Sequence, residues 1–323
     1  MAGRRMLLAA AGAAAWPGAA RAQAAYPTRA ISMLVGFAPG GGTDIVARLL
    51  APRIAEELGQ PIAVENRAGA SGTLAATAVA RARPDGYTML TGTVSTQAVV
   101  APMMNPPPYD QAADFTPILV VGTLPLVVVV RANHPARDLP GLLALARERP
   151  GGLNYGSSGI ASQQHLASEL LSRAAGARMT HVPYRGTGQA VNDLLGGALD
   201  VNVDTLATYL PYIQVGRLRA LATTLPARAT ALPDTPTVAE LGVAGYDMSV
   251  WYMVLGPGGL PPAIVARWET ALNRTVAEPA INRRLVEMGY IPGGGTAAEA
   301  AALVRRDAVR LGALVREAGI RLE

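Results

Sequence analysis

Short apolar runs alternate with amphipathic stretches along most of the chain. Strands are predicted at Ile31 to Val35, Ile62 to Glu65, Thr88 to Thr91, Leu126 to Val130, Asn154 to Gly156, Met179 to Val182, Val201 to Val203, Ala220 to Thr223 and Val250 to Leu255. Helices are predicted between them, among others at Asp44 to Leu58, Gly72 to Arg81, Leu139 to Arg149, Ser162 to Ala175 and Gln189 to Leu195. Alternation of this kind implies an α/β fold of mostly parallel sheets flanked by helices. The apolar run Leu119 to Val130 is broken by Gly122, Thr123 and Pro125, so it reads as two buried strands rather than a membrane span. Pro52 inside the first helical pattern predicts a kink, and Asn105 to Asp110, with three consecutive prolines, predicts a surface loop. Near the C-terminus, Thr296 with Glu299 forms a capping box. The stripe Val304, Ala308, Leu311 and Val315 follows, and Gly319 ends a helix expected to pack on the first lobe.

The first two dozen residues carry a different pattern. Arg4 and Arg5 precede the apolar stretch Met6 to Trp16, and Ala20-Arg21-Ala22 or Ala22-Gln23-Ala24 supplies a small-residue cleavage signal. Residues 1–24 therefore read as an export leader cleaved near Ala22 or Ala24, through either the general secretory or the twin-arginine route. Roughly 300 residues remain, enough for two lobes with separate cores or one large domain. The chain's formal charge is +5, and removing Arg4, Arg5 and Arg21 leaves +2, too small and scattered an excess to imply nucleic acid. Cysteine is absent, which excludes disulfides and thiolate chemistry.

Candidate chemistry gathers where strands run through glycine and hydroxyl residues into helices. The leading instance is Gly36-Phe37-Ala38-Pro39-Gly40-Gly41-Gly42-Thr43-Asp44, a docking place for an anion because backbone N–H groups and the positive end of a helix meet there. A turn that binds nothing would read the same way. A nucleotide-hydrolysing P-loop is excluded, since the chain has no lysine, and the dinucleotide pattern is missing its spaced third glycine. A small carboxylate remains. Similar loops follow at Asn66 to Gly72, Gly92 to Thr96 (with Thr93), Tyr155 to Ser162 and His181 to Gly188 (with Arg185 and Gly186), and in open α/β sheets such loops share one cleft. Arg185 could cap an anion or pair with an acid. Asp200 and Asp204 flank a strand, where either could receive a ligand amino or hydroxyl group or face water. Trp251 and Tyr252 could close the cleft or fill the core. The serines at 157 and 158 lack nucleophile-elbow spacing, and His134, His165 and His181 stand far apart in sequence without metal-pair spacing. No catalytic set, metal site or cofactor motif emerges.

In this order the loops resemble the extracytoplasmic solute-binding proteins of tripartite tricarboxylate transporters, the Bug family. The resemblance rests on Phe37 to Asp44, Val64-Glu65-Asn66-Arg67, Pro84 to Thr88, Tyr109-Asp110 with Asp114 to Pro117, His165 to Leu170, His181 to Gly186, Pro236 to Glu240 and Trp251. It implies a two-lobed type II periplasmic-binding-protein fold, with residues 25–124 and 250–323 in one lobe and 125–249 in the other. It also implies a monomeric periplasmic receptor that closes on a small carboxylate and hands it to membrane permease subunits. The ligand-gripping roles would fall to Gly41, Gly42, Thr43 and Asp44, and to Ser157, Ser158 and Ser162 across the cleft. Two departures stand out: Ala38 replaces a frequent proline, and Ile160 replaces a frequent asparagine, which removes a possible polar contact, so the far end of the ligand is expected to be less polar than a di- or tricarboxylate. An exported hydrolase using the same cleft, or a ligand-sensing subunit for a membrane signalling protein, are the rival readings.

Overall fold

The computed structural model describes residues 26–317, 319 and 320, and the predicted leader lies outside them. The first lobe is built on β1 (Ile31–Val35), α1 (Gly42–Leu58), β2 (Ile62–Asn66), α2 (Thr73–Ala80) and β3 (Thr88–Thr93), with β1 parallel to both β2 and β3. As a central strand, β1 is covered on both faces, which its nearly unbroken apolar sequence anticipates. In α1, Val46, Leu50, Ile54 and Leu58 recur at helical spacing and are buried against it. The helix continues through Pro52 and ends at Gly59, whose left-handed backbone (φ 77°) lets its N–H bond Ala55 O at 2.8 Å.

β4 (Phe115–Arg131) is a single strand of 17 residues, where the interrupted pattern had predicted two. It pairs antiparallel with β9 (Ser249–Pro257) from Phe115 to Pro125, then from Leu126 onward with two strands of the second lobe. Pro125, which cannot donate to a ladder, sits at this change of partner, and the neighbouring Leu126 N–H is taken up by Thr224 Oγ1 at 2.9 Å. The second lobe contains α3 (Leu139–Glu148), β5 (Leu153–Ser157), α4 (Gln163–Ala174), β6 (Met179–Pro183), α5 (Thr187–Gly196), β7 (Val201–Thr205), α6 (Leu206–Gln214) and β8 (Leu218–Thr223). β5 is parallel to β6 and β7, whereas β7 and β8 run antiparallel to β4. The expectation of mostly parallel sheets is thus corrected. Each lobe has a parallel core, and the strands that pass between lobes close it with antiparallel pairings, because the chain leaves and returns in opposite directions.

After β9 the chain adds α7 (Pro262–Ala277), α8 (Pro279–Glu287), β10 (Ile291–Gly294) and α9 (Ala297–Glu317) to the first lobe. β10 pairs with β4. The α9 capping box forms as predicted: Thr296 Oγ1 accepts from Glu299 N at 3.2 Å and Glu299 accepts from Thr296 N at 2.8 Å. Trp251 Nε1 donates to Asp307 of α9 at 2.7 Å, so this ring fastens the last helix and does not face the cleft.

Candidate functional site

The loop after β1 is held open by its own acid. Asp44 accepts from Gly40 N at 3.0 Å, from Arg48 Nε at 2.9 Å and from Asn66 Nδ2 at 2.9 Å, while Asn66 Nδ2 also donates to Phe37 O. The Asp44 side chain is therefore a brace for the loop, while its backbone N–H lies in the uncapped first turn of α1. Gly40 takes a left-handed φ of 82°, and Gly41 precedes α1 in extended conformation with no side chain capping the first turn. Uncapped N–H groups and the helix dipole leave this end able to receive an anion.

Opposite this loop stand residues of the second lobe. Together they enclose a cavity of about 20 Å³ lined on one side by Gly41, Gly42, Thr43, Thr93, Ser95 and Tyr252, and on the other by Ser158, Gln164, Thr187 and Thr205. That is room for roughly one or two water molecules. Its polar groups are hydroxyls, an amide and backbone groups, with no arginine or histidine in the wall. The Thr93 hydroxyl is buried without a partner.

The lobes are closed on each other along this seam. Ala38 N donates to Arg185 O at 3.3 Å, Gln163 N to Ser95 Oγ at 3.0 Å, and Ser71 Oγ to Ile160 O at 2.6 Å. Gly186 is pressed against Ala38, where an added Cβ would stand 2.9 Å from the Ala38 nitrogen. Ala70, Ser71 and Ala161, three residues other than glycine with left-handed backbone, lie at the seam. Such conformations cost about 1 kcal/mol or more each, and they persist where surrounding contacts fix them. A second cavity, of about 560 Å³, opens beside the seam between Ser71, Val100 and Met104 of one lobe and Ile160, Tyr184 and Arg185 of the other. Ile160 gives this cavity the apolar wall that its replacement of asparagine suggested.

The remaining predicted residues divide. Ser158 faces the small cavity and donates to Gln164 Oε1 at 2.9 Å, and Gln164 Nε2 in turn donates to Asp204 Oδ1 at 3.0 Å. Ser157 is turned away, 2.6 Å from His181 Nε2 and bonded to Gly159. Ser162 is the N-cap of α4, accepting from His165 N at 3.3 Å. Neither lines the cavity, so both support the second loop from behind. Asp200 pairs with Arg149 at 2.8 Å, away from the cleft. His165 and His181, distant in sequence, stack with ring centroids 3.9 Å apart, and burial pulls both down to about 4.

Gln164, Thr187 and Thr205 were not singled out from the sequence. Thr187 lies within the glycine-hydroxyl loop already noted, and Thr205 directly follows Asp204. Gln164, in the first turn of α4, carries no local signal.

The family model for the tripartite tricarboxylate transporter family receptor matches residues 46–320. Protein BugT of Bordetella pertussis is 36% identical over 92% of this chain and 92% of its own length. The structure of R. palustris Rpa4515 with adipate superposes with a TM-score of 0.89 at 35% identity, covering 92% of this chain and 99% of that one. MatC from Rhodopseudomonas palustris with bound malate gives 0.85 at 32% identity, covering 90% and 100%. These neighbours are solute-binding receptors rather than enzymes.

Proposed function

Because the chain belongs to the tripartite tricarboxylate transporter receptor family, we propose that it captures a small carboxylate between its lobes in the periplasm and delivers it to a membrane permease. In this reading the leader is cleaved near Ala22 or Ala24 and the receptor works as a monomer. One carboxylate of the ligand rests on Gly41, Gly42 and Thr43, with Thr93 and Ser158 as further donors. The observation that carries this is the uncapped first turn of α1, facing a polar cavity that the second lobe closes. Backbone dipoles and hydroxyls can hold a carboxylate without a cation. The rest of the ligand extends toward the larger cavity, where Ile160 and Val100 offer apolar surface and Arg185 an exposed charge. Adipate and malate, bound by the two R. palustris relatives, are accordingly the first ligands to test.

The hydrolase reading has one point of support, the close Ser157–His181 pair. Ser157 is fully buried, outside the cavity, and already bonded to Gly159. It is not placed to attack a ligand.

Thr43→Val tests the site. Hydrogen bonds to charged groups contribute about 1.5 to 3 kcal/mol, so the variant should bind its carboxylate roughly ten- to a hundred-fold more weakly by calorimetry. Thermal-shift screening of small carboxylates identifies the ligand first. Unchanged affinity in the variant would remove the first loop from the site.

A further inference from the structure

Asp204 is the penultimate residue of β7, completely buried and not itself in the cavity wall. Its two carboxyl oxygens are treated very differently. Oδ1 accepts from Thr205 N at 2.6 Å, Gln164 Nε2 at 3.0 Å and Thr187 Oγ1 at 3.1 Å, whereas Oδ2 has no partner. All three donor residues also line the small cavity. Among the described residues Asp204 makes no ion pair, and its donors are neutral.

An ionised carboxylate in such a place would leave one oxygen buried and unsolvated, which is costly. A neutral acid costs less there, because its carbonyl oxygen accepts from the three donors while its unpartnered oxygen carries no charge. The groups facing it from neighbouring elements do not compensate a charge. Tyr209 on α6 and Tyr252 on β9 are within reach of its field, and burial raises both well above the ordinary tyrosine value, so they stay neutral. β4 presents Leu126 and Val127 alongside it.

On this basis we infer that Asp204 is protonated on Oδ2 in the closed cleft, and that it takes up this proton as the ligand's carboxylate docks against the three residues that hold Oδ1. The inference rests on the carboxylate-receptor reading and adds to it a proton taken up on binding. Burial, opposed by the three donors, pushes the Asp204 carboxyl up to about 6. The carboxylate group of the ligand would strengthen that shift, since two anions in one water-poor site disfavour double ionisation. The protein would then select the fully ionised ligand together with a proton, and capture would weaken as the medium becomes alkaline.

The experiment is calorimetric titration of adipate and malate from about pH 6.5 to about pH 8.5, where both are dianions, in buffers of different ionisation enthalpy. Uptake approaching one proton is expected, with affinity falling roughly tenfold per pH unit over the alkaline part of the range. Asp204→Asn keeps the Oδ1 acceptor and places an N–H donor where Oδ2–H stood. It should flatten the profile, abolish proton uptake and bind both dianions more tightly than the parent does at the alkaline end. Weaker binding by the variant throughout, with no proton uptake by the parent, would overturn the inference. If that loss were confined to malate, Asp204 would be an ionised acceptor for the ligand hydroxyl, which also overturns it.

Carbon-13 titration of the Asp204 carboxyl in the parent protein needs neither the variant nor a ligand. A midpoint above the ordinary aspartate range is expected, and an ordinary midpoint overturns the inference. If neither dicarboxylate binds the parent, the proposed ligand class fails, while this titration still decides the state of Asp204.

Discussion

Gly42 is the position where the candidate loop has no space for a side chain. A Cβ added there would intrude on the Tyr252 hydroxyl, and would lie 3.2 Å from that ring's Cζ and 3.5 Å from Leu124 Cδ2. Gly41, by contrast, meets nothing closer than 3.7 Å, so the crowding is concentrated at Gly42. Tyr252 is 1% exposed, and its ring lies 5.6 Å from that of Tyr290, whose hydroxyl donates to Gly42 O at 2.8 Å. Neither ring can move aside without loss of packing. Overpacking of this kind costs about 1 to 3 kcal/mol, and the gain in helix propensity from Gly to Ala returns at most about 1 kcal/mol. Gly42→Ala should therefore destabilise the protein by about 1 to 2 kcal/mol. Tyr252→Phe removes the colliding oxygen and leaves only the Cζ contact, so the double variant should recover about 1 kcal/mol of that loss. A double-mutant cycle by urea denaturation measures the coupling. Carboxylate binding should weaken as well, because Gly42 and Tyr252, which the added methyl group forces apart, both line the cavity of about 20 Å³. If Gly42→Ala is as stable as the parent and shows no coupling to Tyr252→Phe, the packing of α1 against Tyr252 is misassigned.

Other outcomes follow from the seam and the buried histidines. Since β4 and β9 both cross between the lobes and pair at Pro125 and Ser249, ligand should compact the molecule, and a scattering radius of gyration unchanged at saturation would refute hinge closure. Ser71→Ala removes the 2.6 Å bond to Ile160 O. It should cost about 1 kcal/mol of closure, or roughly fivefold in affinity; calorimetry giving the parent's dissociation constant would show that this bond does not hold the closed form. Burial keeps His165 and His181 near 4 in the folded protein, below the unfolded value of about 6.5. Their contribution is therefore complete above about pH 6.5 and is lost as the pH falls toward about 4. His181→Gln should make the acid limb of the Tm profile shallower, and an equally steep limb would show that the stacked pair is not responsible.

Local pattern was sufficient for the elements whose residues settle their own environment. Apolar β1 and the helical repeat of Val46, Leu50, Ile54 and Leu58 give a strand and a helix joined by glycines, and the Thr296–Glu299 box starts α9, because periodicity and capping act between residues near in sequence. The same locality marked the strand-to-helix loops as sharing a cleft, and the family resemblance then named residues within them. Of these, Gly41, Gly42, Thr43 and Ser158 line the small cavity, while the side chains of Asp44, Ser157 and Ser162 bond within their own loops. Whether a hydroxyl or carboxylate faces a cavity or its own backbone depends on partners such as Arg48, Asn66 and His181, which only the tertiary structure brings near. Continuity of β4 was hidden for a similar reason. Pro125 breaks a ladder wherever a strand has one partner throughout, and is tolerated here because the partner changes at that residue. The isolation of Asp204 Oδ2, the stacking of His165 on His181 and the crowding of Gly42 by Tyr252 all join residues far apart in the chain. These are distances set by packing of whole elements, and no spacing in the sequence encodes them.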